Sequence, residues 1–415
     1  MKILLIGTGI PTKGMKGIGG AGKVVITIAE SFAKSNKVYV VPWWSEKPRM
    51  FQKNLLINGV EYIRRNVSLH LIFLMIKFLF LRYHNITLTY THGLNKIKYS
   101  ILYIYDRAQI ELAIKEFEIE VIHVHGLVLH FLPYLDVAIE KKIPLVCTFH
   151  GLNSLDLNIN LDFDKNFEEE TIRRLSNIDH TTISTVSSRA KELCVNNFHI
   201  PSEKIKVILN GVDYQKFGYF KRSKMELREQ YSIPQDKVII LQVGTLSKRK
   251  NQIAILSAIK EMDDNIKEKI SYFIVGEGEE EMVLSNFVKE NKLDKYVTFT
   301  GWLPNQKLID IYHLSDFFTL PSTSEGLPLV FLEAIAAGLP IITFEDLEGV
   351  KDIFNPECIE LIPDRKAEYI NDAIERAMKR KWNREKIKEY GRLFSWENIS
   401  NQYIEIYMDL EKNRC

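Results

Sequence analysis

The sequence predicts an α/β protein made of two Rossmann-like, doubly wound parallel-sheet domains. Three observations carry that expectation. Short apolar runs alternate with helix-length segments from end to end; such runs, separated by helices, read as strands buried on both faces; and there are twelve of them, more than one comfortable sheet holds. At 415 residues the chain is long enough for two full cores.

Composition narrows the function classes. Apolar residues at 46% and charged residues at 26% are ordinary for a globular protein. A net charge of +2 gives no bulk electrostatic case for nucleic acid as a partner. Cys147, Cys194, Cys358 and Cys415 form no C-x-x-C pair, which argues against a zinc site or a disulfide framework and suits a reducing cytoplasm.

The start, "MKILLIGTG", reads as a buried strand running into glycines. It lacks the h-region and cleavage site of a signal peptide. Next comes "GIGGAGKVV", residues 17–25, which spells two phosphate-binding patterns. Gly17, Gly22 and Lys23 fit a P-loop, and Gly17, Gly19 and Gly22 fit the dinucleotide fingerprint. Both fail on context. Val24 stands where a magnesium-binding hydroxyl is required, and the loop begins about eight residues after the strand ends, with Pro11 and Lys13 between. The underlying physics survives, because a glycine run entering the helix "GKVVITIAESFAKS" can aim backbone amides at an anion. The bland alternative is a surface loop that uses glycine for its turns.

Strand candidates follow at "KVYVVP", "ITLTY", "VIHVH", "PLVCTFH" and "TTISTVS". Between the first two lies the most apolar run, "LHLIFLMIKFLFLRYH" at 69–84, which is shorter than the roughly 20 residues of a membrane span. Two readings stay open for it. It is a buried helix, or a helix in a membrane interface with Arg64, Arg65, Lys77 and Arg82 facing phosphates. The turn dipeptide Asn210-Gly211 and a basic stretch end the first alternation, giving expected domains 1–215 and 216–394. The second holds "KVIILQVG", "SYFIVG", "YVTFTG", "FFTLP", "LPIITF" and "CIELIP". A last helix, 395–415, is expected to open on an N-cap at Ser395, with Ile399, Tyr403 and Ile406 on one face.

The sharpest chemistry lies in "STSEGLPLVFLEAIAAGLPII", residues 322–342. It runs from a strand end through a tight turn into a helix that Pro328 suits at its first turn. The amides of Gly326, Leu327, Leu329 and Val330 offer donors for a phosphate. Glu325 before the helix and Glu333 inside it are placed to accept from hydroxyls at the two ends of a sugar nucleotide. The bland alternative is an acidic cap plus a solvated glutamate.

This string resembles the E-x7-E signature of family 4 retaining glycosyltransferases (glycosyl transferases group 1), which have the GT-B fold. Further segments follow that family's order along nearly the whole chain. "VGTLSKRKNQ" (243–252) is similar to its diphosphate loop: Gly244 ends the strand and Lys250 takes the lysine position, while Thr245 stands where the family has arginine. Lys248 or Arg249 is the candidate substitute. "NGVDYQKF" resembles the interdomain segment, and "FIVGEGEEE", with Gly276, resembles the next strand and its glycine turn. "VIHVHGL" and "PLVCTFHGL" resemble two strand ends, with His150 at the second implied to face the donor sugar; His125 is an even choice and His123 a packing residue. "FSWENISNQYIEIY" resembles the helix that crosses back to the first domain, and Gly19-Gly20 matches the glycine loop that meets donor phosphates.

The resemblance implies two domains facing a central cleft, an acceptor-side 1–215 and a donor-side 216–394. It further implies hexosyl transfer from a nucleotide diphosphate sugar to an acceptor hydroxyl with retention, the leaving-group oxygen acting as base. His150, Lys250 and Glu325 are the expected catalytic residues. Gly19, Gly20, Gly244, Lys248, Arg249, Gly276, Gly326, Leu327, Leu329, Val330 and Glu333 are expected to bind the donor, Glu333 through the ribose. No cofactor is expected beyond the donor substrate. No D-x-D pair lies near the motif, so basic groups would take the place of a metal. The 64–82 segment makes a lipid-linked or surface-polysaccharide glycan the leading acceptor, at the inner face of a membrane, with a soluble acceptor open. A sugar-nucleotide epimerase, a phosphorylase on the same fold, and a binding subunit without turnover are the competing readings.

Overall fold

The structure, a computed structural model, describes residues 1–7, 10–11, 20–42, 49–50, 53–80, 93–151 and 162–412. The chain forms two compact units, Met1–Ile208 together with Ile399–Cys415, and Leu209–Asn398. Gly17, Gly19, Arg82 and the strand candidate "ITLTY" lie outside the described residues.

The first unit holds β1 (Lys2–Ile6), β2 (Lys37–Val41), β3 (Arg49–Met50), β4 (Leu55–Ile57), β5 (Val60–Tyr62), β6 (Asn66–Val67), β7 (Val121–His125), β8 (Leu145–Phe149), β9 (Thr181–Thr185) and β10 (Ile205–Val207). Eight of them form one sheet in the order β10-β9-β8-β7-β1-β2-β5-β4. Every pairing in it is parallel except β4 with β5. β7 and β8 are buried at all five positions, which is why their sequences carry no alternation. The β4–β5 hairpin closes at Asn58-Gly59, with φ of 49° and 80°, the left-handed pair that a tight primed turn requires. β3 and β6 pair separately.

The order reverses at β1, whose neighbours are β2 on one side and β7 on the other. Ligands of doubly wound sheets bind beyond the carboxyl ends of strands at such a reversal. Gly7 follows β1 there at φ 135°, and a Cβ on it would stand 2.7 Å from the His125 carbonyl oxygen.

The second unit is a six-stranded, all-parallel sheet. Its strands are β11 (Val238–Val243), β12 (Ile270–Val275), β13 (Val297–Gly301), β14 (Phe317–Leu320), β15 (Ile341–Phe344) and β16 (Ile359–Ile362), ordered β13-β12-β11-β14-β15-β16. The order reverses at β11. Ile240, Tyr272 and Ile274 pack with Leu256, Ile259 and Ile374 into its core.

Two expectations need revision. Asn210-Gly211 forms no turn but lies in irregular chain between β10 and the helix Tyr214–Gly218. Gly211 is glycine because a Cβ would strike the Trp396 ring at 2.5 Å. The final helix, Trp396–Lys412, does use Ser395, whose Oγ accepts from the Asn398 amide at 3.3 Å. Its buried face, however, runs through Ile399, Tyr403, Tyr407 and Leu410, with Ile406 half-buried.

The run at 69–84 satisfies neither reading whole. It forms the helix Leu69–Phe80, with Leu71 and Phe78 in the core of the first unit. Leu69, Ile72, Phe73 and Ile76 are exposed, at the i, i+3, i+4, i+7 spacing of a single helical stripe. Arg65 does not await a phosphate, because it is ion-paired to buried Asp106 at 2.6 Å. Among the described residues, no helix is long and apolar enough to cross a membrane.

Candidate functional site

The carboxyl end of β11 organises the site of the second unit. Gly244 ends the strand, and beside it Gly276 ends β12 at φ 138°, where a Cβ would meet the Gly244 carbonyl oxygen at 2.0 Å. Only a residue without Cβ allows that approach. The Lys250 side chain passes over Gly244, its Cε 3.5 Å from where a Cβ would stand.

Beyond Gly244 the chain makes a 3-10 turn, Lys248–Lys250, and Asn251 at φ 49° reverses it into the helix Gln252–Glu261. Buried amides hold this turn. Gln242 Nε2 donates to the Lys250 carbonyl at 3.2 Å and Gln252 Nε2 to the Thr245 carbonyl at 3.1 Å. The turn is also tied to the loop after β14. Thr323 donates its amide to the Arg249 carbonyl at 2.9 Å, and Arg249 Nη1 donates to the Ser324 carbonyl at 2.9 Å.

Three charges meet between these loops. Lys250 Nζ lies 2.5 Å and Arg249 Nη1 2.6 Å from Glu325 Oε1. Burial lowers the pKa of Lys250 while Glu325 pulls it back up. Lys250 is largely enclosed and Arg249 half-exposed, with side-chain exposures of 12% and 48%. Lys248 is exposed and forms no ion pair with Glu325. Thr245 is exposed as well.

Glu325 leads into Gly326, Leu327 and Pro328, and then into the eight-residue helix Leu329–Ala336, which has no side-chain cap. The Phe331 amide donates to the Pro328 carbonyl at 3.1 Å, while those of Leu329 and Val330 ahead of it have no intrahelical acceptor. Asn210 Nδ2 fixes the approach by donating to the Leu327 carbonyl at 2.8 Å. Gly349 presses on the same loop, since a Cβ there would meet the Gly326 carbonyl oxygen at 2.0 Å. On the helix, half-buried Glu333 accepts from the Tyr312 hydroxyl at 2.7 Å. The spacing of seven thus puts one carboxylate among cations before the helix and the other on its flank.

The first unit gathers the histidines. His150, half-buried after β8, has Nε2 3.1 Å from Nδ1 of buried His125. His123 and His125, two apart on β7, share a face, and their rings stack at 4.0 Å. His123 Nδ1 meets the Tyr407 hydroxyl at 2.6 Å and its Nε2 meets Thr148 Oγ1 at 2.7 Å. Burial lowers His123 to about 3, His150 to about 4 and His125 well below its ordinary value, so all three are neutral imidazoles. Gly20 opens the helix Gly20–Phe32 and is exposed; Gly19 lies outside the described residues.

The predicted residues therefore fall into two constellations. Gly244, Arg249, Lys250, Gly276, Glu325, Gly326, Leu327, Leu329, Val330 and Glu333 surround the reversal at β11, and His150 belongs to the first unit. Sequence reasoning missed Tyr312, Gly349 and the side chain of Asn210. Their partners lie 21, 23 and 117 residues away, so no local pattern announces them.

The family model of Glycosyltransferase Family 4 matches residues 18–216, and that of Glycosyl transferases group 1 matches 223–394. N-acetyl-alpha-D-glucosaminyl L-malate synthase of Bacillus anthracis is 25% identical over 351 residues, 77% of this chain and 84% of that one. An Escherichia coli UDP-Gal:alpha-D-GlcNAc-diphosphoundecaprenol alpha-1,3-galactosyltransferase is 32% identical over 188 residues, 44% of this chain and about half (48%) of that one. Among solved structures, Anabaena HepE in complex with UDP superposes with a TM-score of 0.70 at 15% identity, covering 99% of this chain and 100% of that one. The two parallel-sheet units match the GT-B fold of such neighbours. With both halves matched in order, the chain belongs to the family 4, group 1 glycosyltransferases.

Proposed function

We propose that the enzyme moves a hexosyl group from a nucleoside diphosphate sugar to an acceptor hydroxyl, with retention and without a metal. The observation that carries the reading is the Arg249–Lys250–Glu325 cluster joined directly to an uncapped helix N-terminus at the strand-order reversal. Breaking the anomeric C–O bond places charge on the departing diphosphate. Lys250, Arg249 and the amides of Gly326, Leu327, Leu329 and Val330 stabilise it, each worth on the order of 2–4 kcal/mol in the transition state. Gly244 and Gly276 let the backbone come close to that diphosphate, and exposed Lys248 adds outer charge. Glu333, held by Tyr312, binds the ribose. Glu325 binds sugar hydroxyls once the diphosphate draws the two cations. His150 serves the donor sugar, and Gly19 with Gly20 meets its phosphates.

Thr245 is the feature that favours a binding subunit without turnover. Arg249 answers it, since its guanidinium shares Glu325 Oε1 with Lys250 and so supplies the missing arginine charge. The acceptor in this proposal is a lipid-linked glycan, reached by a chain that rests on the membrane through the stripe Leu69, Ile72, Phe73 and Ile76, with Lys77 toward anionic headgroups. The relative named for a UDP-Gal donor and a diphosphoundecaprenol acceptor, and the structural neighbour in complex with UDP, support the same direction.

Transfer from UDP-α-hexoses to a polyprenyl-diphosphate glycan, followed by NMR of the product's anomeric proton, tests the reaction. An α product formed equally with and without EDTA is expected. A β product contradicts retention. Loss of activity in EDTA that magnesium restores contradicts the metal-free mechanism.

A further inference from the structure

The reversal in the first unit carries a histidine pair whose hydrogen bond has a definite sense. His125 Nδ1 and His150 Nε2 are 3.1 Å apart, with rings stacked at 5.3 Å and 18°. Both imidazoles are neutral, so one proton lies between them. In one arrangement His150 donates from Nε2, and His125 then carries its own proton on Nε2. That atom is buried, His125 being 3% exposed, and has no partner among the described residues. An N–H there would be an orphan donor, which costs about 1–3 kcal/mol and is rarely seen. In the other arrangement His125 donates from Nδ1, its Nε2 is only a lone pair, and no donor is stranded.

The ring of His125 cannot easily turn to escape this choice. His123 stacks on it at 4.0 Å and is itself engaged at both nitrogens by Tyr407 and Thr148. His150 stacks on it as well, at 5.3 Å, and Gly7 passes close to the His125 backbone and Cβ, where a side chain at residue 7 would stand only 2.8 Å from that Cβ.

We infer that His125 is a positioning residue: by donating from Nδ1 to His150 Nε2 it holds His150 as its Nδ1–H tautomer, so that His150 presents an N–H donor to an oxygen of the donor sugar. The role in transfer rests on the function proposed above. The tautomer does not, because it follows from the first unit alone. With Nε2 accepting from His125 and Nδ1 carrying the proton, His150 has no free lone pair and cannot act as a base toward the acceptor. It holds an oxygen in place.

The full chain labelled with 15N-histidine tests the tautomer directly by long-range proton–nitrogen correlation, with His150→Gln used for assignment. A protonated Nδ1 and an unprotonated Nε2 on His150 are expected; a protonated Nε2 overturns the inference whether or not any transfer is measured. For the role in turnover, His125→Phe keeps a flat ring but removes the donor, and His125→Asn keeps a donor near the Nδ1 position. The Phe variant is expected to lose roughly tenfold in kcat, the worth of the one hydrogen bond removed, and the Asn variant to recover most of it. Equal losses in both variants, or a loss in KM alone, overturn the positioning role. Absence of transfer by the wild-type chain would count against the proposed function, and the nitrogen spectrum would still decide the tautomer.

Discussion

Burial keeps His123, His125 and His150 neutral, and that has a consequence for stability. Each takes up a proton far more readily in the unfolded chain, at an ordinary value near 6.5, than in the fold. A depressed folded value means that stability is intact above pH 6.5 and falls as the pH drops below it. At pH 5 the loss is on the order of 2 kcal/mol for each imidazole kept neutral. Thermal denaturation should show Tm falling steeply between pH 6.5 and 5, with the slope reduced in His123→Gln. A Tm flat over that interval contradicts the neutral cluster. In the sequence, Glu325 and Glu333 could be singled out because both lie in one strand–loop–helix run, and Lys250 because it lies in a strand–loop–helix run of its own; that Lys250 and Glu325 meet, 75 residues apart, no local spacing announces. Tyr312 was not, because the contact that orients Glu333 comes from a different helix. Arg65 was misread for the same reason, as Asp106 lies 41 residues on.

At the scale of elements, the helix Leu69–Phe80 departs most from an ordinary soluble protein. Its core face is anchored by Leu71 and Phe78, the latter beneath the Arg107 guanidinium at 5.1 Å. Four large apolar residues on the other face remain exposed, where burying each would yield about 1.5–3 kcal/mol. Cosedimentation with phosphatidylglycerol vesicles should bring down the wild type and lose the Phe73→Asp/Ile76→Asp variant. Leu56→Asp, at an exposed residue of the β4–β5 hairpin, should sediment like wild type. Wild type that stays in the supernatant contradicts the membrane role. The hairpin itself was announced by Asn58-Gly59 between apolar residues and was overlooked, since strands of three residues give alternation too little length to register. The long buried strands were easier: β1, β7, β8, β11 and β12 are continuous apolar runs bounded by glycine or histidine.

Over the whole molecule, the alternation of strands and helices was enough to read two parallel sheets, because short apolar runs separated by helices are covered on both faces only in that way. Strand order was not readable from pattern, yet order is what makes the site, by ending the sheet's two directions of growth at β1 and at β11. Division of the chain at Ile208/Leu209 and Asn398/Ile399 likewise follows packing that no composition shift marks, such as Gly211 against Trp396. The proposed transfer requires the loops after β11 and β14 to bind a nucleoside diphosphate. Isothermal titration of the full chain with UDP tests it most directly. Saturable binding is predicted, weakened at least about tenfold by Lys250→Ala and by Glu333→Ala, each loss corresponding to about 1.4 kcal/mol. Binding that neither substitution changes, in variants that still unfold cooperatively, would contradict it.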